Sequence, residues 1–302
     1  MSRKALVALA LLGACSSRVD LQSEARGIPW EKLSGRIAYS RWDVSDSSDP
    51  RGLIFLVDVK ARKLTVVRNV PTQGKAPTFE STGWVREVAF NPRASAVTFT
   101  VLNDAVVWEL RSLSLDSGAE EVLFPDPRAH HLFPAWSADG RLAYYSNGAD
   151  GVHLFVDGRF SLNDPNPSRV AWDGSNAFFV SVGDASSAGT LYLADPQAQA
   201  LTPVITGTDI SEDPAVDPAR RRLAYVRRAA DSGAGEIWLA NIDGTGQRRA
   251  TRGFADYNPA WSADGQSVLF VRFNAGLFLY HVATGSITQV THARADSMAW
   301  AP

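Results

Sequence analysis

The heptad Pro134-Ala135-Trp136-Ser137-Ala138-Asp139-Gly140 returns unchanged as Pro259-Ala260-Trp261-Ser262-Ala263-Asp264-Gly265, each copy followed by an apolar run. Fainter copies are Pro214-Ala215-Val216-Asp217, Val88-Ala89-Phe90-Asn91 and Val170-Ala171-Trp172-Asp173. The anchors Phe90, Trp136, Trp172, Val216, Trp261 and Trp300 fall 36 to 46 residues apart. A period near that length with four short strands per unit is the signature of a β-propeller.

Each unit reads as four strands joined by turns. Asp-Gly or Asn-Pro after the anchor is turn chemistry, because Gly accepts positive φ and Asp bonds its own backbone. The second strands (Arg141 to Tyr145, Arg222 to Val226, Val268 to Val271) are continuous apolar runs, as expected of strands covered on both faces by neighbouring blades. Third strands are predicted at Gly52 to Val59, Ala105 to Leu113, Gly151 to Val156, Gly189 to Ala194, Glu236 to Asn241 and Gly276 to His281. Fourth strands are predicted at Lys63 to Val70, Glu120 to Phe124, Gly158 to Leu162, Ala200 to Ile205, Gln247 to Thr251 and Ser286 to Thr291. The final segment, Ser297 to Pro302, is a first strand with nothing after it, while Gly35 to Ser40 is a second strand with no first strand before it. Joining them completes a blade and removes two exposed sheet edges. The fold class expected is therefore all-β, a six-bladed β-propeller whose C-terminal strand closes the first blade.

The Pro-Ala-Trp-Ser-Ala-Asp-Gly motif resembles that of the TolB-type, WD-repeat-like β-propellers of bacterial envelopes, over residues 30–302. TolB carries a further α/β domain before its propeller, for which the stretch before Gly35 leaves no room, so the resemblance is to the propeller alone. The Trp anchors are read as core, their position being fixed by the repeat.

Arg3 and Lys4 precede ten small or apolar residues, Ala5 to Ala14, and then the only cysteine, Cys15. The apolar run is about half the ~20 residues of a membrane-spanning helix, and the arrangement is that of an export signal. Leu12-Gly13-Ala14-Cys15 resembles the lipobox of bacterial lipoproteins, which implies cleavage before Cys15 and acylation of its sulfur. The alternative is an ordinary secretory signal with an incidental cysteine. Residues 1–14 are thus expected as signal peptide, 15–29 as a polar tether and 30–302 as propeller. Ser16 after the cysteine, where inner-membrane retention uses Asp, points by the same resemblance to the periplasmic leaflet of the outer membrane.

Strong catalytic motifs are missing: no Gly-x-Ser-x-Gly elbow, phosphate loop, His-Glu-x-x-His or paired cysteines. Some TolB-like propellers also resemble oligogalacturonate lyases, which hold a metal by channel histidines, and His130-His131 is the pair that this resemblance points to. Adjacent strand residues point to opposite faces, which works against a shared metal. No cofactor or metal is expected.

First strands line the axis of a propeller, so the residues just before each anchor should converge at a channel rim: Arg86 and Glu87, His131 and Phe133, Ser168 and Arg169, Glu212 and Asp213, Tyr257 and Asn258, Asp296 and Ser297. Charged and aromatic groups at a concave opening suit a peptide or protein terminus. An arginine cluster (Arg220, Arg221, Arg222, Arg227, Arg228, Arg248, Arg249, Arg252) reads as a solvated outer face or an anion-docking patch. With 30 Lys+Arg against 32 Asp+Glu, the chain has no global field for nucleic acid. The expectation is a monomeric, lipid-anchored scaffold that binds an envelope protein or peptide at its channel face. A polysaccharide lyase or hydrolase and a binder of sugars or cell-wall fragments, stacking on Phe133 and Tyr257, are the alternatives.

Overall fold

The computed structural model describes residues 19–43, 45–46, 48–72, 84–163, 169–174, 177–182, 189–195, 200–229, 234–253 and 255–301. Strands β1 (Arg36–Asp43), β2 (Arg51–Asp58) and β3 (Lys63–Pro71) join the last strand, β24 (Ser297–Ala301), in blade 1, in the order β24-β1-β2-β3. Blade 2 holds β4 (Val85–Phe90), β5 (Ala96–Leu102), β6 (Trp108–Ser114) and β7 (Glu120–Leu123). Blade 3 holds β8 (His130–Trp136), β9 (Leu142–Gly148), β10 (Gly151–Val156) and β11 (Arg159–Asn163), and blade 4 holds β12 (Ala171–Asp173), β13 (Ala177–Val182), β14 (Thr190–Asp195) and β15 (Ala200–Ile205). Blade 5 is β16 (Ile210–Val216), β17 (Arg222–Arg228), β18 (Glu236–Asn241) and β19 (Arg248–Arg249). Blade 6 is β20 (Asp256–Trp261), β21 (Ser267–Arg272), β22 (Gly276–His281) and β23 (Ile287–Gln289).

The six blades and the closure agree with the sequence reading. Trp300 lies opposite Ile37, and Ser40 opposite Ser297, in an antiparallel ladder. The second strands are the buried ones: β5 and β21 are buried along nearly their whole length, and Tyr39, Tyr145, Tyr225, Phe99 and Phe270 are among the most enclosed side chains. The fourth strands of blades 5 and 6 are shorter than expected, two and three residues. Each is the outermost strand of its blade, with one free edge and no buried side chain, so little packing extends it.

The repeat's turn is explained by its first polar residue. Ser137 Oγ accepts from the Arg141 amide at 2.8 Å and donates to Asp139 at 2.5 Å. Ser262 does the same with Ser267 and Asp264, at 2.9 and 2.6 Å. In the fainter copies Asn91 Oδ1 accepts from Ser95 and Ala96, and Asp217 Oδ1 from Arg221 and Arg222. Any short acceptor at this position closes the turn, which is why Ser, Asn and Asp interchange there. Gly140 and Gly265 follow with φ of 94° and 65°.

The expected polar tether does not hold as such over its described part. Asp20 caps a short helix, α1 (Leu21–Arg26), and a single 3-10 turn follows at Trp30–Lys32. Ile28 is buried, and Val19, Leu21, Ala25, Trp30 and Leu33 pack on the cluster shared by blades 6 and 1. Glu24 pairs with Arg41 of β1 at 2.8 Å, Lys32 reaches Thr288 of β23 at 3.1 Å, and a Cβ at Gly27 would stand 2.9 Å from His292. The segment therefore covers the seam where the ring closes. Its apolar positions are too few and too unevenly spaced to declare a helix without the surface they meet.

Replacing Ile28 by Ala should cost about 2–4 kcal/mol, as for other buried aliphatic truncations. A urea titration followed by far-UV circular dichroism checks this; an unmoved midpoint would mean that the segment is a free spacer.

Candidate functional site

The first strands carry a shared irregularity. In β8, β16 and β20 two residues stand opposite one on the second strand, between Leu132 and Ala135, Glu212 and Ala215, and Tyr257 and Ala260. Phe133, Asp213 and Asn258, the first residue of each bulge, adopt φ of 55°, 49° and 54°. Each is followed by proline: Pro134, Pro214 or Pro259. A bulge leaves one N–H out of the ladder, and proline has none to leave. Where the repeat lacks proline, the side chain of a neighbouring blade supplies the acceptor. Val88 N–H donates to Ser297 Oγ at 3.1 Å, and Met298 N–H to Asn258 Oδ1 at 2.7 Å.

These same positions form a hub around the axis: Glu87, Phe133, Arg169, Asp213, Asn258 and Ser297, one from each blade. Asp213 Oδ2 accepts from the Asn258 amide at 3.2 Å. The Arg169 guanidinium, on blade 4, donates to Ser297 of blade 1 at 2.6 Å, so it reaches the opposite side of the ring and blocks the axis. Burial raises the Asp213 carboxyl above its ordinary range, against the opposing effect of Arg169 and the amides of Asn258 and Arg169. Glu87 is buried, with Oε1 3.3 Å from Arg86.

The other expected rim residues turn away from the axis. Arg86 lies over the rings of Trp84 and Trp108. His131 is buried edge-on against Tyr144, and burial lowers its pKa; His130 Nδ1 accepts from the Trp108 amide at 3.1 Å, so the two imidazoles diverge. Glu212 pairs with Arg228 at 3.0 Å. Tyr257 packs between blades 6 and 1 and donates to Ala295 O at 3.3 Å, and burial raises its pKa. Asp296 accepts from Trp42 N–H and from Arg294, at 2.7 and 2.6 Å, and burial raises its carboxyl. For the adjacent pairs Arg86 and Glu87, Glu212 and Asp213, and Tyr257 and Asn258, strand alternation sends one residue outward and the other to the hub; His131 stands two residues before Phe133, and the left-handed backbone at Phe133 sets these two apart. Ser168 lies outside the described residues, as does Cys15.

Below the hub, toward the turns of the repeat, lies a cavity of 520 Å³. Its floor includes Arg169 and Asn258. Its walls are the residues after the hub in all six first strands, among them Pro134, Ala135, Pro214, Pro259 and Met298, and its mouth has Ala138, Ala263 and Arg220. Trp136, Trp172, Trp261 and Trp300 line it as well; only Trp261 is buried, the other three being half-buried. The reading of these anchors as core is therefore incomplete. Each indole N–H is bonded out of its own blade or into the closing segment: Trp172 to Ala135 O at 2.9 Å, Trp261 to Ala215 O at 3.1 Å, Trp136 to Thr98 Oγ1 at 2.9 Å and Trp300 to Ser34 O at 2.7 Å. The tryptophans thus both clamp the blades and form the cup's wall. Small and ring-constrained residues at two consecutive positions of an innermost strand, Pro-Ala, were the sequence signal for a cavity beside that strand.

The arginine cluster is largely paired: Arg222 with Asp217, Arg227 with Asp209, Arg228 with Glu212 and Arg249 with Glu236. Arg222 and Arg227 also lie 4.5 Å over Trp261 and Trp238. Among the described residues no three His, Cys, Asp or Glu side chains gather where they could hold a metal ion.

These features define an all-β, six-bladed propeller with a closed hub and a tryptophan-walled axial cup. Among solved structures it is similar to TolB from Acinetobacter baumannii, with TM-score 0.73 and 17% identity over 89% of this chain and 67% of that one. It is also similar to a putative TolB from Agrobacterium tumefaciens, with TM-score 0.63 and 16% identity over 89% and 99%. An oligogalacturonate lyase in complex with manganese gives TM-score 0.52 and 14% identity over 85% and 78%. No protein-family model matches the chain, and no curated protein sequence does. At these identities the likeness is one of fold, and that fold is found in a lyase as well as in TolB.

The raised carboxyl of Asp213 sets a pH dependence. Its folded pKa lies above the ordinary 3.8, so the folded state holds the proton more tightly, and Asp213's contribution to stability falls as pH rises from about 3.9 through the folded value. Urea midpoints of wild type and Asp213→Asn between about pH 3.5 and 7 should show the wild type losing ground to the variant with rising pH; a flat or opposite difference contradicts the assignment.

Proposed function

We propose that this chain is a non-catalytic propeller of the bacterial cell envelope that binds a protein or peptide partner in its axial cup and is held to the membrane through acylated Cys15. The observation that carries the binding part is the cup itself. Six blades contribute rigid strand residues to one concavity, and its walls are aromatic and apolar with polar groups concentrated at floor and mouth, the composition of a recognition site. A ring clamped by inter-blade hydrogen bonds holds that surface fixed, so little ordering entropy opposes binding.

The hub argues against catalysis. Of its three ionisable groups, Arg169 and Asp213 are engaged with Ser297, Asn258 and each other, and Glu87 is buried beside Arg86. The histidine pair that a lyase reading requires points in two directions. The fold likeness to TolB is in keeping with a binding role but does not carry TolB's partners to this chain. The anchor rests on the sequence alone, on Leu12-Gly13-Ala14-Cys15 after a short apolar run.

Two experiments test the two parts. The double substitution Ala138→Arg and Ala263→Arg places bulk and charge at exposed mouth positions without touching the core. Affinity capture from detergent-solubilised envelopes should lose with it the partner that wild type retains; identical capture by both proteins would refute the cup as the docking site. Cys15→Ala should move the protein from the membrane to the soluble periplasmic fraction, and persistent membrane retention would refute the anchor.

A further inference from the structure

The cup continues into a second concavity on the same face. A groove of 780 Å³ runs between blades 2 and 3, lined by the turn residues Asn91, Ser95 and Asp139 and by Ser112, Ser114 and Glu121 of β6 and β7. Trp136 and Ala138 line both the groove and the cup, so the two meet at one indole. The groove offers hydroxyls, the carboxylates of Glu120, Glu121 and Asp139 and the guanidinium of Arg93 among small apolar residues, whereas the cup is lined mainly by Pro, Ala, Met and Trp. A ligand filling both must be polar along its length and apolar at its end.

The inner end of this path is closed by Arg169, which spans the hub; among the described residues none above it lines the cavity. A chain entering from the groove has no exit along the axis past Arg169, so the blind end of the cup suits a chain terminus.

Charge decides which terminus. The cup carries the guanidinium of Arg169 at its floor and that of Arg220 at its mouth. Arg220 lies against the turn at Gly174 and has no side-chain partner among the described residues. The single carboxylate lining the cup is Asp217, and it is already held by Arg222 and by the amides of Arg221 and Arg222. Arg169 also faces Asp213, whose carboxyl burial pushes toward its neutral form, so the lining keeps a net positive charge beside apolar walls; a carboxylate there meets guanidinium donors, and an ammonium terminus is repelled.

We propose that the cup and groove bind the free C-terminal end of an extended polypeptide, with its carboxylate directed to the arginines of the cup and apolar last side chains against the tryptophans. This names the ligand chemistry of the docking site proposed above and rests on that reading.

The test uses the full-length protein, immobilised, and two pools of decapeptides randomised over the last four positions, one ending in carboxylate and the other in carboxamide. Retained peptides are quantified by mass spectrometry. The carboxylate pool should be retained about ten-fold more than the carboxamide pool, as expected of one charge-assisted contact, with apolar residues enriched at the end. Arg220→Gln should reduce that ratio several-fold, while Arg252→Gln, at an exposed position outside the cup, should leave it unchanged. Equal retention of the two pools, no retention of either, or an unchanged ratio in Arg220→Gln would overturn carboxylate recognition. Those results leave the docking reading itself to the mouth-blocking capture: a partner still captured by wild type and lost by the Ala138→Arg, Ala263→Arg protein would separate the two failures.

Discussion

The pairing of β24 with β1 is the contact on which the other features of the molecule depend. It joins the two ends of the described chain, turns a row of sheets into a ring, and leaves neither end of the row with an unpaired face. Closing a loop of this length carries an entropic cost that grows only slowly with the number of residues, and the ladder, the Trp300 indole bond to Ser34 and the packing of α1 and Ile28 over the seam offset it together. Because Ser297 belongs to β24, closure also places the acceptor for Val88 N–H and for Arg169. The ring's edge and its centre are thus made by the same five residues.

The centre is governed by backbone accounting. Innermost strands have one side that faces no strand, and the residue after each hub position presents an N–H that must find a partner or be absent. This protein uses both solutions. Proline removes the donor in blades 3, 5 and 6, and Ser297 and Asn258 accept it for blades 2 and 1. The polar hub is consequently a set of mutual obligations between blades, and its charged members Arg169 and Asp213 are part of that set. The same arrangement closes the axis and leaves the cup open on one face only.

On that face, the residues that hold the blades together are also the walls of the proposed binding cup. An indole whose N–H is bonded to the preceding blade keeps its ring edge fixed in the wall of the cup, so that wall needs no separate support. Arg220, in contrast, stands on a turn with φ of 54° and contributes charge without bearing structure. A division of this kind, apolar walls made by the fold and charge added on turns, lets ligand preference vary while the ring stays constant.

The architecture was legible in the sequence because a propeller repeats one local solution. Trp136 and Trp261, their Ser-Ala-Asp-Gly turns and the apolar second strands are set by contacts within a blade or between adjacent blades, and these recur with the sequence period. The unpaired first and second strands at the two ends likewise announced the closure, since a missing strand leaves a gap in a regular count. The helix at Leu21–Arg26 and the direction of each rim residue were not legible. Alternation along a strand gives two faces but does not say which one meets the axis, and bulges at Phe133, Asp213 and Asn258 shift that choice; Glu212 and Tyr257 turn outward beside them, and Asp296, just before β24, is held by Trp42 and Arg294. Sequence alone determined the number of blades and the means of closing them. The tertiary structure decided that the hub is plugged by Arg169 and that the cavity lies beneath it, because both follow from side chains of opposite blades meeting across an axis that no local pattern records.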